Sequence, residues 1–322
     1  MSGSPGDVAS AVDSGAPPAD AATESSVAAP SLSTPNASPA LTDADADARV
    51  TGSSVRIELV SAGVEPRRLL RHSAVPGNRA SLTLSVGVGM SQSKGGDDPS
   101  ARAVPGFSLD TSFVRAADGW RVTIEGARPD ATGDAEQLLA EEVAPLMRAL
   151  ERKTALFAFD SRVTSFALPP VPAGLDLEAA QLWSSVEESV RELALPVPSE
   201  AVGAGASWRA TGRRSRAGVA LVRVAEYTLA AGPGVVVNVT FREEPVATKR
   251  RDPLLPPGFE LTVRSGIGEG RGKLEFDADL TPKSGEVELE SLQDLAIQGP
   301  GAAAPEYSTL RLHQKLRAVR KP

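Results

Sequence analysis

Residues 82–89 read Leu-Thr-Leu-Ser-Val-Gly-Val-Gly. Leu82, Leu84, Val86 and Val88 take every second position, with Thr83, Ser85, Gly87 and Gly89 between them. A period of two places the aliphatic set on one face of an extended strand and the small or polar set on the other. The same alternation recurs in both directions from here. Val55, Ile57 and Leu59 alternate with Arg56 and Glu58, and further strands read at 107–115, 119–127, 154–168, 205–212, 217–230, 234–242, 259–265, 270–279, 285–291 and 306–318. Turn chemistry separates them, at Asp118-Gly119, Gly232-Pro233-Gly234 and Lys283-Ser284-Gly285. Short connections make sequence neighbours antiparallel. The pattern predicts a mainly β (α+β) fold: a large curved antiparallel sheet or half-barrel of roughly ten to twelve strands, with two amphipathic helices packed on one face.

The two helical segments interrupt the alternation. Residues 134–152 open with Asp134 and Gln137, a start resembling a capping box, and carry Leu139, Val143, Leu146 and Leu150 on one stripe. Pro145 lies inside that stripe and predicts a kink or two shorter helices. The second helix runs from near Asp176 to Leu193, with Ala179, Trp183, Val186, Val190 and Leu193 on one face and Glu187, Glu188, Arg191 and Glu192 elsewhere. Such a stripe packs against a sheet or forms a lid over a cavity. Pro-rich stretches at 168–172 and 195–199 bracket it. They mark either a boundary between halves 50–172 and 200–322 or the ends of a crossover on one sheet; a single β-rich domain over 50–322 is the preferred reading.

The chain has 322 residues and net charge −7. Residues 1–49 hold 40 Ala, Ser, Pro, Thr, Gly or Asp residues and carry net −6, leaving −1 for residues 50–322. The first 49 residues are therefore expected to be a disordered Ala/Ser/Pro/Asp tether, too polar to offset chain entropy by burial. A nearly neutral remainder argues against nucleic-acid binding through phosphate contacts. No stretch of 18 apolar residues is present to span a membrane as a helix. Zero cysteines exclude disulfides, thiol nucleophiles and thiolate metal sites.

The motifs that invite catalytic readings fail in context, so no catalytic residue, metal site or cofactor is expected. Gly266, Gly268, Gly270 and Gly272 resemble a phosphate loop, but Lys273-Leu274-Glu275-Phe276 continues them as a strand rather than a helix. On a strand this spacing strips one face and admits a helix or an aromatic ring. Ser91-Gln92-Ser93-Lys94 and Lys283-Ser284-Gly285 match two elements of the penicillin-recognising enzymes, yet a loop follows the first and the second is a hairpin turn. His72 and His313 stand in polar company and read as surface residues. Asp43, Asp45 and Asp47 lack the glycine turn and final Glu of a calcium loop, and Glu286, Glu288 and Glu290 read as the solvated side of a strand.

Phe157-Ala158-Phe159-Asp160-Ser161-Arg162, then Leu195-Pro196 leading to Val202-Gly203-Ala204-Gly205-Ala206-Ser207-Trp208, then Tyr227-Thr228-Leu229 and the Gly-rich strand with Phe276-Asp277 form an ordered series. It resembles an uncharacterised family of bacterial cell-envelope proteins, many of them lipoproteins, over residues 115–320. The resemblance implies an exported protein of the periplasm or cell surface, tethered to a membrane through a processed N-terminus. Cytoplasmic location is the alternative, since this chain shows no signal peptide. At the level of fold, the expected sheet also resembles the half-barrels of periplasmic lipoprotein carriers. Two functions follow as expectations: a non-enzymatic interaction or scaffold module with an envelope-protein partner, or a binder of a lipid or acyl ligand. In the second, Trp183, Val186, Val190, Trp120 and Trp208 are the candidate ligand-binding residues.

Overall fold

The computed structural model describes residues 37–50, 54–72, 75–94, 100–102, 106–130, 134–216, 219–247, 249–250 and 258–322. The strands are β1 (Ser38–Pro39), β2 (Val55–Ser61), β3 (Arg79–Lys94), β4 (Ser100–Arg102), β5 (Gly106–Ala116), β6 (Gly119–Asp130), β7 (Thr154–Phe159), β8 (Phe166–Ala167), β9 (Ser207–Arg216), β10 (Val219–Leu229), β11 (Val235–Pro245), β12 (Lys249–Arg250), β13 (Glu260–Phe276), β14 (Pro282–Gln298) and β15 (Glu306–Arg320). The helices are α1 (Asp43–Arg49), α2 (Asp134–Leu150) and α3 (Leu177–Leu193). All strands join one antiparallel sheet in the order β2-β9-β10-β11-β13-β14-β15-β3-β5-β6-β7-β8, with β1 and β12 on β13 and β4 on β3. The expected mainly β fold with an open, curved sheet is what forms.

Most pairs are sequence neighbours, as short turns require. The exceptions organise the molecule. The last strand, β15, lies beside β3, from Ser308 opposite Lys94 to Arg320 opposite Leu82. This ladder joins the N-terminal and C-terminal strands into one sheet. The two ends of the sheet, β2 and β8, then approach each other without closing. Among the described residues they share the single bridge Ser54–Ser165, and the Val55 N–H donates to the Thr164 carbonyl at 2.6 Å. Residues 34–322 are one compact unit, and its principal core draws on Leu82, Leu109, Val122, Phe157, Trp208, Val237, Leu274, Val287 and Leu316 around Trp183, Val186 and Val190 of α3.

Helix α3 forms where its pattern predicts. Asp176 caps it, accepting from the Ala179 N–H at 2.8 Å, and Ala179, Trp183, Val186, Val190 and Leu193 are buried. Helix α2 runs through Pro145 as one element rather than as two shorter helices. Pro145 and Glu141, whose carbonyl loses its helical partner, are both exposed, so water can satisfy the freed group.

Strand 154–168 instead breaks into β7 and β8. Between them, Asp160 Oδ1 accepts from the N–H groups of Arg162 and Thr164, both at 2.9 Å, which closes an Asx-type turn. The segments 259–265 and 270–279 fuse into β13, the glycines lying inside an unbroken strand. A Cβ on Gly270 would stand 2.1 Å from Phe241 Cζ, so the stripped face admits an aromatic ring.

The expected tether of residues 1–49 divides. Residues 1–36 lie outside the described residues. Residues 37–50 are part of the fold: β1 pairs with β13, and α1 follows behind a Thr42–Asp45 capping box. Ala46 is fully buried against Val222 and Val246. The low hydropathy of the segment concealed this, since Leu41, Ala46 and Val50 are the apolar residues it buries or half-buries.

Candidate functional site

The inner face of the sheet changes character along β9, β10 and β11. Towards the start of β9 and the end of β10 it is apolar, with Trp208, Ala210, Tyr227 and Val239 buried. Four residues further along each strand, period two brings Arg214 and then Arg216 from β9, Arg223 from β10 and Glu243 from β11 onto the same face. Helix α3 lies across them and contributes Glu188, Arg191 and Glu192. Arg214 meets Glu192 at 2.7 Å, and Arg216 meets Glu188 at 3.1 Å and Glu243 at 3.2 Å. Arg223 pairs with Glu192 and reaches Glu243 at 3.6 Å, with its guanidinium 3.4 Å from the centroid of the Phe241 ring. Arg216 also donates to Gln314 Oε1 on β15. The polar side of α3 is thus its second docking surface.

Burial and pairing oppose each other here. Burial disfavours the charge on Glu192 and Glu243, but Arg214 and Arg223 around the first, and Arg216 and Arg223 around the second, outweigh it and hold both carboxyls below their ordinary value. Arg223 and Arg216 rise correspondingly. Arg191 is the exception. Burial, reinforced by Arg214, pushes it down to about 9. It makes no ion pair among the described residues. Its Nη2 donates to the Arg213 carbonyl at 2.9 Å, and its guanidinium sits 5.4 Å from the Phe166 ring centroid.

Beside this layer, at the seam where β2 and β8 meet, is a cavity of about 30 Å³. Val55, Val163, Phe166, Ala210 and Ala225 form its apolar walls, and Arg191, Arg213, Arg214, Arg223 and Tyr227 its polar ones. A second, open cleft of about 480 Å³ lies at the β7–β8 turn beside Arg115 and Phe159.

The five candidate ligand-binding residues all lie in one core cluster. Trp183, Val186 and Val190 project from α3; the Trp183 Nε1–H donates to Glu187 Oε1 at 2.8 Å, and burial raises the Glu187 carboxyl. The Trp208 Nε1–H donates to the Pro196 carbonyl at 2.8 Å. Trp120 stands edge-on to Phe113, Phe159 and His72, with ring centroids 5.5, 4.9 and 5.6 Å away. Trp120 belongs to this separate aromatic box, whereas Trp183 stacks near Phe157 and Trp208 on Tyr227. None of the five lines the seam cavity.

Other sequence features fall elsewhere. His72 is buried rather than on the surface, bonded through Nε2 to the Leu195 carbonyl at 2.9 Å, and burial lowers it to about 4. His313 is exposed beside Glu290. Ser91 aligns through β15 with Leu292, whereas Ser284 lies eight residues along β14, about 27 Å away at ~3.4 Å per residue. Glu286 and Glu288 form a cross-strand ladder with Lys315 and Arg271. Among the described residues no His, Asp or Glu group of three is placed to hold a metal, and no helix is long and apolar enough to cross a membrane. The arginine layer is what the sequence reading missed. Its signal was Arg214, Arg216 and Arg223 at apolar phase in strands facing a helix with Glu188 and Glu192 four apart.

No protein-family model and no curated protein matches this chain. Among solved structures, a loop L8 deletion mutant of OmpT, an outer membrane protein of Vibrio cholerae, aligns at 9% identity over 75% of this chain and 100% of that one. The TM-score is 0.16, too low to bear on fold or function.

Proposed function

We propose that the protein is a non-catalytic interaction module of the cell envelope, with a filled interior and partners on its outer surface. The observation that carries this reading is the seating of α3. Trp183, Val186 and Val190 are fully buried against the inner sheet face, and the polar side of the same helix is tied down by Glu188 and Glu192. An acyl carrier needs several hundred Å³ of enclosed apolar space; the seam cavity beside α3 offers about 30 Å³, and the clefts of about 360 and 480 Å³ are open at the surface and are not lined by α3. The Ala/Ser/Pro composition of the first 36 residues supports an envelope tether.

The test uses the full chain purified without detergent. Native mass spectrometry is expected to give the mass of the polypeptide without an acyl ligand, and a fluorescent fatty acid is expected neither to bind nor to quench tryptophan. An extracted lipid, or micromolar binding of the probe, would replace this reading with the carrier. Cell fractionation that recovers the protein with the cytosol would remove the envelope assignment.

A further inference from the structure

We propose that the seam cavity is a binding site for a small inorganic monoanion of chloride size, held by Arg191, Arg214 and Arg223 with the Tyr227 hydroxyl. The first ground is charge. Arg191, Arg214, Arg216 and Arg223 face Glu188, Glu192 and Glu243, a surplus of one positive charge in a layer whose members are buried or half-buried. An uncompensated buried charge is costly, and a bound counter-ion removes the surplus.

The second ground is where the surplus lies. Every charged residue lining the cavity is an arginine, and the three glutamates of the layer lie outside its wall. Arg191 has no ion-pair partner among the described residues. Arg223, 3% exposed, leaves its buried Nε–H without an acceptor. Burial raises Tyr227, so its hydroxyl keeps the proton it would donate. The last carbonyls of α3 oppose an anion, but helix-end dipoles are weak beside three guanidinium charges. The third ground is size: about 30 Å³ admits a water or a single halide and excludes larger acids. A halide there would bridge α3 to β9 and β10, coupling the seating of the helix to the anion content of the medium.

The test is a chloride titration of the full chain at a constant ionic strength of about 0.2 M, with methanesulfonate, too large for the cavity, as the replaced anion. Screening is the same in both salts, so only a specific site separates them. The melting temperature is expected to rise by about 2–4 °C with chloride, logarithmically at saturating concentrations. Arg191→Gln, which strands no carboxylate, is expected to abolish the rise. Chlorine-35 linewidths of the wild-type solution supply a readout that needs no variant: broadening beyond the free-ion value is expected. Equal melting in the two salts, absence of broadening, or an undiminished rise in Arg191→Gln overturns the site.

Discussion

Arg213 and Arg214 are neighbours on β9, and their side chains hold two different helices to opposite faces of the sheet. Arg214 points inward to Glu192 of α3 at 2.7 Å; Arg213 points outward to Asp47 of α1, also at 2.7 Å. Distance does not distinguish the pairs, but environment does. The Arg214 and Glu192 side chains are 16% and 10% exposed, whereas Asp47 is 62% exposed. Inside, each charge depends on its partner because water cannot replace it. Outside, water competes at every point and the pair is worth little. The inner helix should therefore be held by an obligatory network, and the outer strap chiefly by what Ala46, Val50 and Leu41 cover.

The largest effect should come from Trp183→Ala. It opens a cavity in the centre of the core and removes the donor to Glu187, so a loss of about 5 kcal/mol is expected in urea denaturation, enough to threaten folding. A loss below about 1 kcal/mol would show that α3 is a lid. Glu243→Gln should follow at about 3–5 kcal/mol, because it leaves Arg216 and Arg223 sharing too little negative charge. If that variant is no weaker than an outer-face control, the inner network is not obligatory and the contrast fails.

The contrast also predicts a response to pH. His72, buried among Trp120 and Phe159, titrates at about 4 in the folded state against 6.5 when unfolded. Its folded value is depressed, so the unfolded chain takes up the proton first. Stability is lost as pH falls from about 6.5 to about 4, by about 3 kcal/mol in all. Glu192 and Glu243 are also depressed. Their contribution is present above the ordinary carboxylate range and is lost below about 4.5. A urea series over pH 4–7 should show the first limb in the wild type and lose it in His72→Phe. An unchanged limb would assign it to other groups.

Removing residues 1–50 tests the outer strap. The deletion exposes Val222 and Val246 and loses the burial of Ala46 and Val50, partly offset by the entropy of releasing the segment. A loss of about 1–2 kcal/mol is expected, smaller than any inner substitution. No change in melting temperature would show that the strap does not hold in solution.

What the chain disclosed in advance follows from periodicity. Alternation at 82–88 and at Val55, Ile57 and Leu59 marks strands whatever they pair with, and Trp183, Val186 and Val190 mark the buried stripe of α3 without reference to the sheet. Pairing of β15 with β3 across more than two hundred residues leaves no local mark, nor does the approach of β2 to β8. The arginine layer was hidden for a related reason: Arg214, Arg216 and Arg223 look solvated until the face they share is known. His72 was misread by its polar sequence neighbours, because burial is set by Trp120, Phe159 and Leu195, all distant in the chain.

The smallest effect should belong to Asp47→Asn. The substitution removes the carboxylate that meets Arg213 at 2.7 Å but leaves Ala46 seated on Val222 and Val246. Arg213 keeps the Asp43 carbonyl as an acceptor at 3.2 Å, and its guanidinium can be hydrated from solvent. With Asp47 largely exposed, the cost should be at most about 0.5–1 kcal/mol and should shrink with added salt. The double-mutant cycle with Arg213→Gln measures the pair itself. A coupling above about 2 kcal/mol, insensitive to salt, would mean that the outer pair is as desolvated as the inner ones, and that the two faces of β9 do not differ in the way their neighbouring arginines imply.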